Sequence, residues 1–187
     1  MVWKTSVLAV AVAIALPRLA DARQTAVPAN LEVPAGHEAF LTAHAEGTQN
    51  YVCLKDQGFA WTFWGPQATL FEADQQIISH YLSANPAENG TARATWQHSS
   101  DSSTVWAAAV ANSTDPNYVA PGAIPWLLLR VRGTQPGPAG GTTLTGTLYI
   151  QRVNTSGGIA PESGCKSAQD VGKKALVPYT TDYVFYR

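Results

Sequence analysis

A chain of 187 residues in which only 13% are charged, with a formal net charge of −1, excludes several classes of protein at once. No basic cluster is present to follow a phosphate backbone or an anionic membrane surface, so neither a nucleic-acid footprint nor a lipid-headgroup patch is expected. Solubility has to rest on Ser, Thr, Asn and Gln.

The chain opens with Lys4, an apolar run over residues 6–16, and the small-x-small triplet Ala20-Asp21-Ala22. This is the pattern of a secretory leader cleaved after Ala22; the run is too short to span a bilayer, and no second such run follows. Residues 1–22 are therefore expected to leave, and residues 23–187 to form a single β domain in an oxidising compartment, extracellular or held at a cell wall. The loss of Lys4, Arg18 and Asp21 changes the net charge by a single unit.

The periodicity that follows is that of strands. Residues 40–45 and 49–54 flank Glu46-Gly47-Thr48, which reads as a hairpin turn. Residues 60–64 and 69–72 are separated by Gly65-Pro66, and residues 77–82 precede a loop over 83–91. Residues 92–98 and 104–110 flank Ser99-Ser100-Asp101-Ser102-Ser103, a second hairpin signal. Residues 125–131 are nearly all apolar, as in a strand covered on both faces. Residues 133–141, dense in Pro and Gly, read as a loop. Residues 144–153 alternate, with Leu144, Gly146, Leu148 and Ile150 on one side, and residues 183–186 form the last strand. No segment keeps a helical period with caps. The expectation is an all-β fold, an antiparallel sandwich or flattened barrel of about eight to ten short strands.

Cys53 and Cys165 are expected to pair in an oxidising compartment, the alternative being two separate thiols. Sequons at Asn89, Asn112 and Asn154 mark surface loops that would carry glycans in a eukaryotic host.

The search for chemistry is mostly negative. The nearest approach to a dinucleotide fingerprint, Gly137 to Gly141, lacks both the spacing and a following helix. There is no Gly-x-Ser-x-Gly elbow and no Gly-Lys-Ser/Thr phosphate loop. No motif calls for a cofactor. The histidines His37, His44, His80 and His98 form neither His-x-His nor His-x-x-x-His, so no local pair prepares a metal site, and one assembled from distant strands stays open. His80 stands out: it ends a strand, a meander would bring the Trp96 strand beside it, and Asp101 lies in the adjacent turn, where it could orient an imidazole. The plainer alternative has Asp101 making an Asx turn and Trp96 in the core. Trp61 and Trp64 differ by an odd number of residues, so one is expected in the core and the other partly exposed as a stacking platform for a sugar ring or other flat ligand.

A wider pattern runs through the chain. Gly47-Thr48-Gln49-Asn50-Tyr51-Val52-Cys53, His80-Tyr81, Pro125-Trp126-Leu127-Leu128-Leu129, Asn154 to Pro161 and Tyr183-Val184-Phe185-Tyr186 resemble a family of secreted fungal and bacterial proteins. That family is a domain of unknown function whose members are often labelled malate dehydrogenase, a name the missing nucleotide fingerprint argues against. Members commonly have Asp-Gly-Ser where this chain has Asp101-Ser102-Ser103. The resemblance implies secretion, a β fold and the Cys53–Cys165 bridge, and it brings no catalytic residues. Two functional readings follow. The favoured one is a non-catalytic binding protein for an extracellular ligand, a cell-wall glycan or a small amphipathic molecule. The other is a secreted hydrolase or metal-dependent enzyme centred on His80 with Asp101 or His98.

Overall fold

The computed structural model describes residues 25–56 and 58–187; the expected leader lies outside the described residues. Eight strands follow in chain order: β1 (Ala39–Leu54), β2 (Ala60–Glu72), β3 (Gln75–Asn85), β4 (Thr91–His98), β5 (Thr104–Ser113), β6 (Trp126–Gln135), β7 (Tyr149–Gly157) and β8 (Lys174–Tyr186). Each pairs antiparallel with the next, and β8 returns to pair with β1, so the sheet closes into a barrel. Closure leaves no strand edge free to recruit another chain. The all-β antiparallel expectation holds, with the barrel realised rather than the sandwich, and with strands longer than the short segments suggested by periodicity.

Two glycines account for much of that difference. Gly47 is no turn: it lies within the 16-residue β1, where an added Cβ would come 2.5 Å from the Ala68 Cα. The glycine lets β2 approach closely. Gly65 does not end a strand either. It belongs to a bulge in β2, where Asn50 pairs with Gly65 but Tyr51 with Phe63, so Trp64 is left without an opposite residue. An extra residue of this kind bends a strand without ending it. The segment 183–186 is only the end of β8, whose first half carries Pro178 and the threonines Thr180 and Thr181. Residues 133–135 belong to β6 and not to the loop, and β7 begins at Tyr149 rather than at Leu144.

Inside the barrel, Leu70, Ile78, Trp96, Val105, Leu129, Ile150, Tyr183 and Phe185 form the main core. A second apolar cluster lies on the outer face of β6, β7 and β8, where Leu31 from the N-terminal segment and Val119 and Ala123 from loop 114–125 cover Trp126, Leu128, Val153 and Tyr186. This is why β6 is apolar on both faces: Leu127 and Leu129 face one cluster, Trp126 and Leu128 the other.

The two ends of the barrel differ. At the base, loop 136–148 folds under the strands and drives Leu144, fully buried, into the main core. At the other end, the mouth, the disulfide Cys53–Cys165 ties the end of β1 to loop 158–173. The Tyr51 hydroxyl donates to the Gly158 carbonyl at 2.6 Å and the Trp61 indole N–H to Ser163 at 2.9 Å. Among the described residues no helix is long and apolar enough to cross a membrane.

Candidate ligand-binding site

His80 is the centre of the site, but in other company than expected. Its partner across the β3–β4 ladder is Trp96, and the two rings stack with centroids 4.3 Å apart and planes 14° from parallel. Tyr183 meets the imidazole edge-on at 5.1 Å. The Nδ1–H donates to the Thr95 carbonyl at 2.8 Å, which makes Nε2 the acceptor of a neutral ring. Burial, reinforced by the Arg152 charge and only partly opposed by the Thr95 hydrogen bond, pushes its pKa down to about 3. Among the described residues Nε2 has no hydrogen-bond partner.

Asp101 is elsewhere. It makes the Asx turn of the plainer reading, accepting from the Ser103 N–H at 2.9 Å and the Ser103 hydroxyl at 2.7 Å. Its other oxygen accepts from the Thr143 N–H at 3.0 Å and the Thr143 hydroxyl at 2.7 Å. Partial burial works against ionisation, but these four hydrogen bonds outweigh it and hold the carboxyl well below its ordinary value. The His98 Nδ1 lies 3.2 Å from Asp101, at an angle that makes no hydrogen bond. His37 packs on Tyr149 and His44 pairs with Asp182 at 2.7 Å. The four histidines thus have four separate settings, and no group of three His, Cys, Asp or Glu converges among the described residues.

The tryptophan expectation needs correction: neither ring is core. Trp61 is half-buried beneath loop 158–173, whereas Trp64, pushed outward at the bulge, is 67% exposed. Trp96, Trp106 and Trp126 are the buried ones. Trp64 lines a shallow outer cleft of about 290 Å³ with Tyr51, Lys174 and Leu176. The sequon residues Asn89, Asn112 and Asn154 are exposed, although Asn112 and Asn154 lie in strands β5 and β7 and not in loops.

Above His80 the barrel opens into a cavity of about 370 Å³. Phe63, Leu82, Trp96, Leu127 and Leu129 give it apolar walls; Gln49, His80, Arg93 and Arg152 are its polar groups. Phe63 and Leu82, 50% and 42% exposed, form the lip. Arg152 was missed in the sequence, yet a signal was there. Continuing the Leu148 and Ile150 side of the alternation by two residues sets Arg152 on the apolar face, and a charge on a core-facing position marks a site. Arg93 is neutralised by Glu88, with Nε 2.7 Å and Nη2 2.9 Å from the carboxylate oxygens.

A larger hollow of about 730 Å³ lies between the N-terminal segment and the outer face of β7 and β8. Its polar lining is Glu32, His37, Glu38 and Gln151, acidic where the mouth is cationic, and Gln151 is already committed: it donates to the Leu31 carbonyl and accepts from the Tyr186 hydroxyl.

Fold and site together define a closed eight-stranded antiparallel meander with a plugged base and an apolar, singly cationic mouth. The chain belongs to the family described as Protein of unknown function (DUF3455), whose match covers residues 34–187. Neither a curated protein nor a solved structure matches it.

Proposed function

We propose that this protein is a non-catalytic, secreted binding protein that takes one small amphipathic ligand into the mouth of its barrel. The observation that carries this reading is the cavity itself. It combines apolar walls with a few convergent polar groups, the usual composition of a small-molecule site. The separation of His80 from Asp101 and His98 favours it over the hydrolytic or metal-dependent alternative, because acid–base chemistry needs two titratable groups in reach of one substrate. The leader pattern and the disulfide support export.

The test is a thermal-shift and calorimetric screen with small aliphatic and aromatic amphiphiles, on the native chain and on Ala94→Phe. Ala94 lines the cavity, and a phenyl group there fills it. Binding that survives in the folded variant would sink the reading.

A second reading concerns the outer face, and one observation favours it: the exposed Trp64 beside Leu176, itself 60% exposed. Such a pair suits stacking of a cell-wall glycan, and Trp64 suits it better than Trp61, whose indole N–H is already engaged. Trp64→Ala should abolish retention on polysaccharide at a cost of under about 1 kcal/mol in stability, leaving amphiphile binding intact.

A further inference from the structure

The geometry points to a monoanionic ligand, a carboxylate whose head is held by Arg152 and whose apolar body occupies the mouth. This deepens the reading of the mouth as a ligand cavity and rests on it.

Arg152 sits on the inward side of β7, paired with Leu127 on β6 and Tyr183 on β8. Its Nε and Nη2 donate to the Pro125 carbonyl at 3.2 and 2.8 Å, which fixes the guanidinium beside Tyr183. No carboxylate pairs with it: the ion pairs among the described residues are His44–Asp182, Arg93–Glu88, His98–Asp101 and Lys173–Asp170. Burial dominates the titration of His80, Tyr51, Tyr179 and Tyr183, keeping all four neutral, and the Arg152 charge reaches each of them as a smaller contribution.

A partly buried cation lining an apolar cavity, with no counter-ion among the described residues, is costly to keep unless something supplies the charge. Two further groups point the same way. The Gln49 Nε2 and the Tyr179 hydroxyl are buried, 2% and 3% exposed, and neither makes a hydrogen bond of good geometry. Gln49 lines the cavity, and the Tyr179 hydroxyl interacts with Gln49 and Tyr183 short of well-formed hydrogen bonds, so both could turn to an incoming acceptor. One fixed cation and two neutral donors suit a carboxylate, which accepts several hydrogen bonds and carries a single charge. A phosphate dianion would bring a second charge that nothing in the cavity matches, since His80 is held neutral and Arg93 is already spent on Glu88.

The probes are octanoate, octanol and octyl phosphate, titrated calorimetrically at pH 8 against the native chain, Arg152→Gln and Tyr179→Phe. Octanoate should bind at least about tenfold more tightly than octanol, and more tightly than octyl phosphate. The folded R152Q variant should bind octanoate and octanol alike. Tyr179→Phe, which keeps the charge, should weaken octanoate several-fold and leave octanol unchanged; it carries the test if R152Q does not fold. Octanol binding as tightly as octanoate to the native chain overturns the anion site and leaves the cavity reading standing. Octyl phosphate binding as tightly as octanoate overturns the choice of a monoanion, and an octanoate preference that survives in R152Q, or octanoate affinity unchanged by Tyr179→Phe, overturns the assignment of the head group's partners. If none of the three binds, both readings fail.

Discussion

Single residues here reveal conflicts between local preference and tertiary demand. Ser102 adopts φ +59°, a left-handed conformation that a serine takes at a cost, in the hairpin between β4 and β5. Ser102→Gly relieves that strain but frees the unfolded chain, and a net gain of up to about 1 kcal/mol is expected, because a left-handed φ disfavours a residue with a Cβ. Urea denaturation measures it, and a loss of stability would refute the strain argument. His80 makes a prediction about pH. Its folded pKa of about 3 lies below the ordinary value of 6.5, so the unfolded chain binds the proton more readily. The stability from burying it neutral is complete above pH 6.5 and is lost as pH falls toward 3. The slope approaches roughly 1.4 kcal/mol per pH unit. Between pH 6.5 and 5, above the carboxylate range, the native chain should therefore lose stability faster than His80→Phe, which keeps the stack on Trp96. Parallel pH profiles for the two would leave the imidazole charged in the fold and the argument wrong.

Among the elements, the base loop is the clearest case of a segment whose role was not visible locally. Residues 133–141 read as a loop and residues 144–153 as a strand, yet residues 136–148 form one loop whose Leu144 reaches the core, and Asp101 and Ser103 clasp it from the β4–β5 hairpin. The glycines are required by that contact, since a Cβ on Gly141 would lie 2.3 Å from the Asp101 Cβ. Leu144→Ala should cost about 2–5 kcal/mol without touching the mouth. A measured loss under about 1 kcal/mol would show that the barrel is not plugged by this loop. The β3–β4 connection behaves similarly. Asn85 accepts from the Ala87 N–H at 3.1 Å and donates to Glu88 at 2.9 Å, and Arg93 and Asn85 hold the Glu88 carboxyl down to about 2. It is a fastened corner.

At the scale of the whole molecule, the first and last strands close the barrel, so its longest-range pairing is also the one that completes it. Cys53 and Cys165, separated by 112 positions, restrain that assembly by joining β1 to the β7–β8 loop. A bridge closing so long a loop contributes up to roughly 4–5 kcal/mol in the chain-entropy model, and usually less. The double variant Cys53→Ala, Cys165→Ala should melt well below the native protein while keeping the same far-UV circular dichroism. An unchanged midpoint would mean that the bridge restrains nothing beyond what the sheet already does.

Much of this architecture was legible in order along the chain. Alternation in 92–98 and 104–110, the doubly apolar run 125–131, the cysteine pair and the lack of any capped helical period were enough for an antiparallel all-β fold, because strand period and turn chemistry are local properties. That the Trp96 strand lies beside His80 was legible too, once a meander was assumed, whereas the stacking of the two rings came only with the structure. Three things required the closed sheet. Gly47 and Gly65 punctuate an isolated strand but serve packing and a bulge within a pair, so strand length depended on the partner strand. Asp101 lies in the turn that follows the Trp96 strand but is committed to Thr143, 42 positions away. Arg152, Gln49 and Tyr179 come from β7, β1 and β8, and no local pattern relates them. They meet because the barrel closes and turns alternate residues of distant strands into one small interior, which is why the candidate site appears only with the tertiary structure.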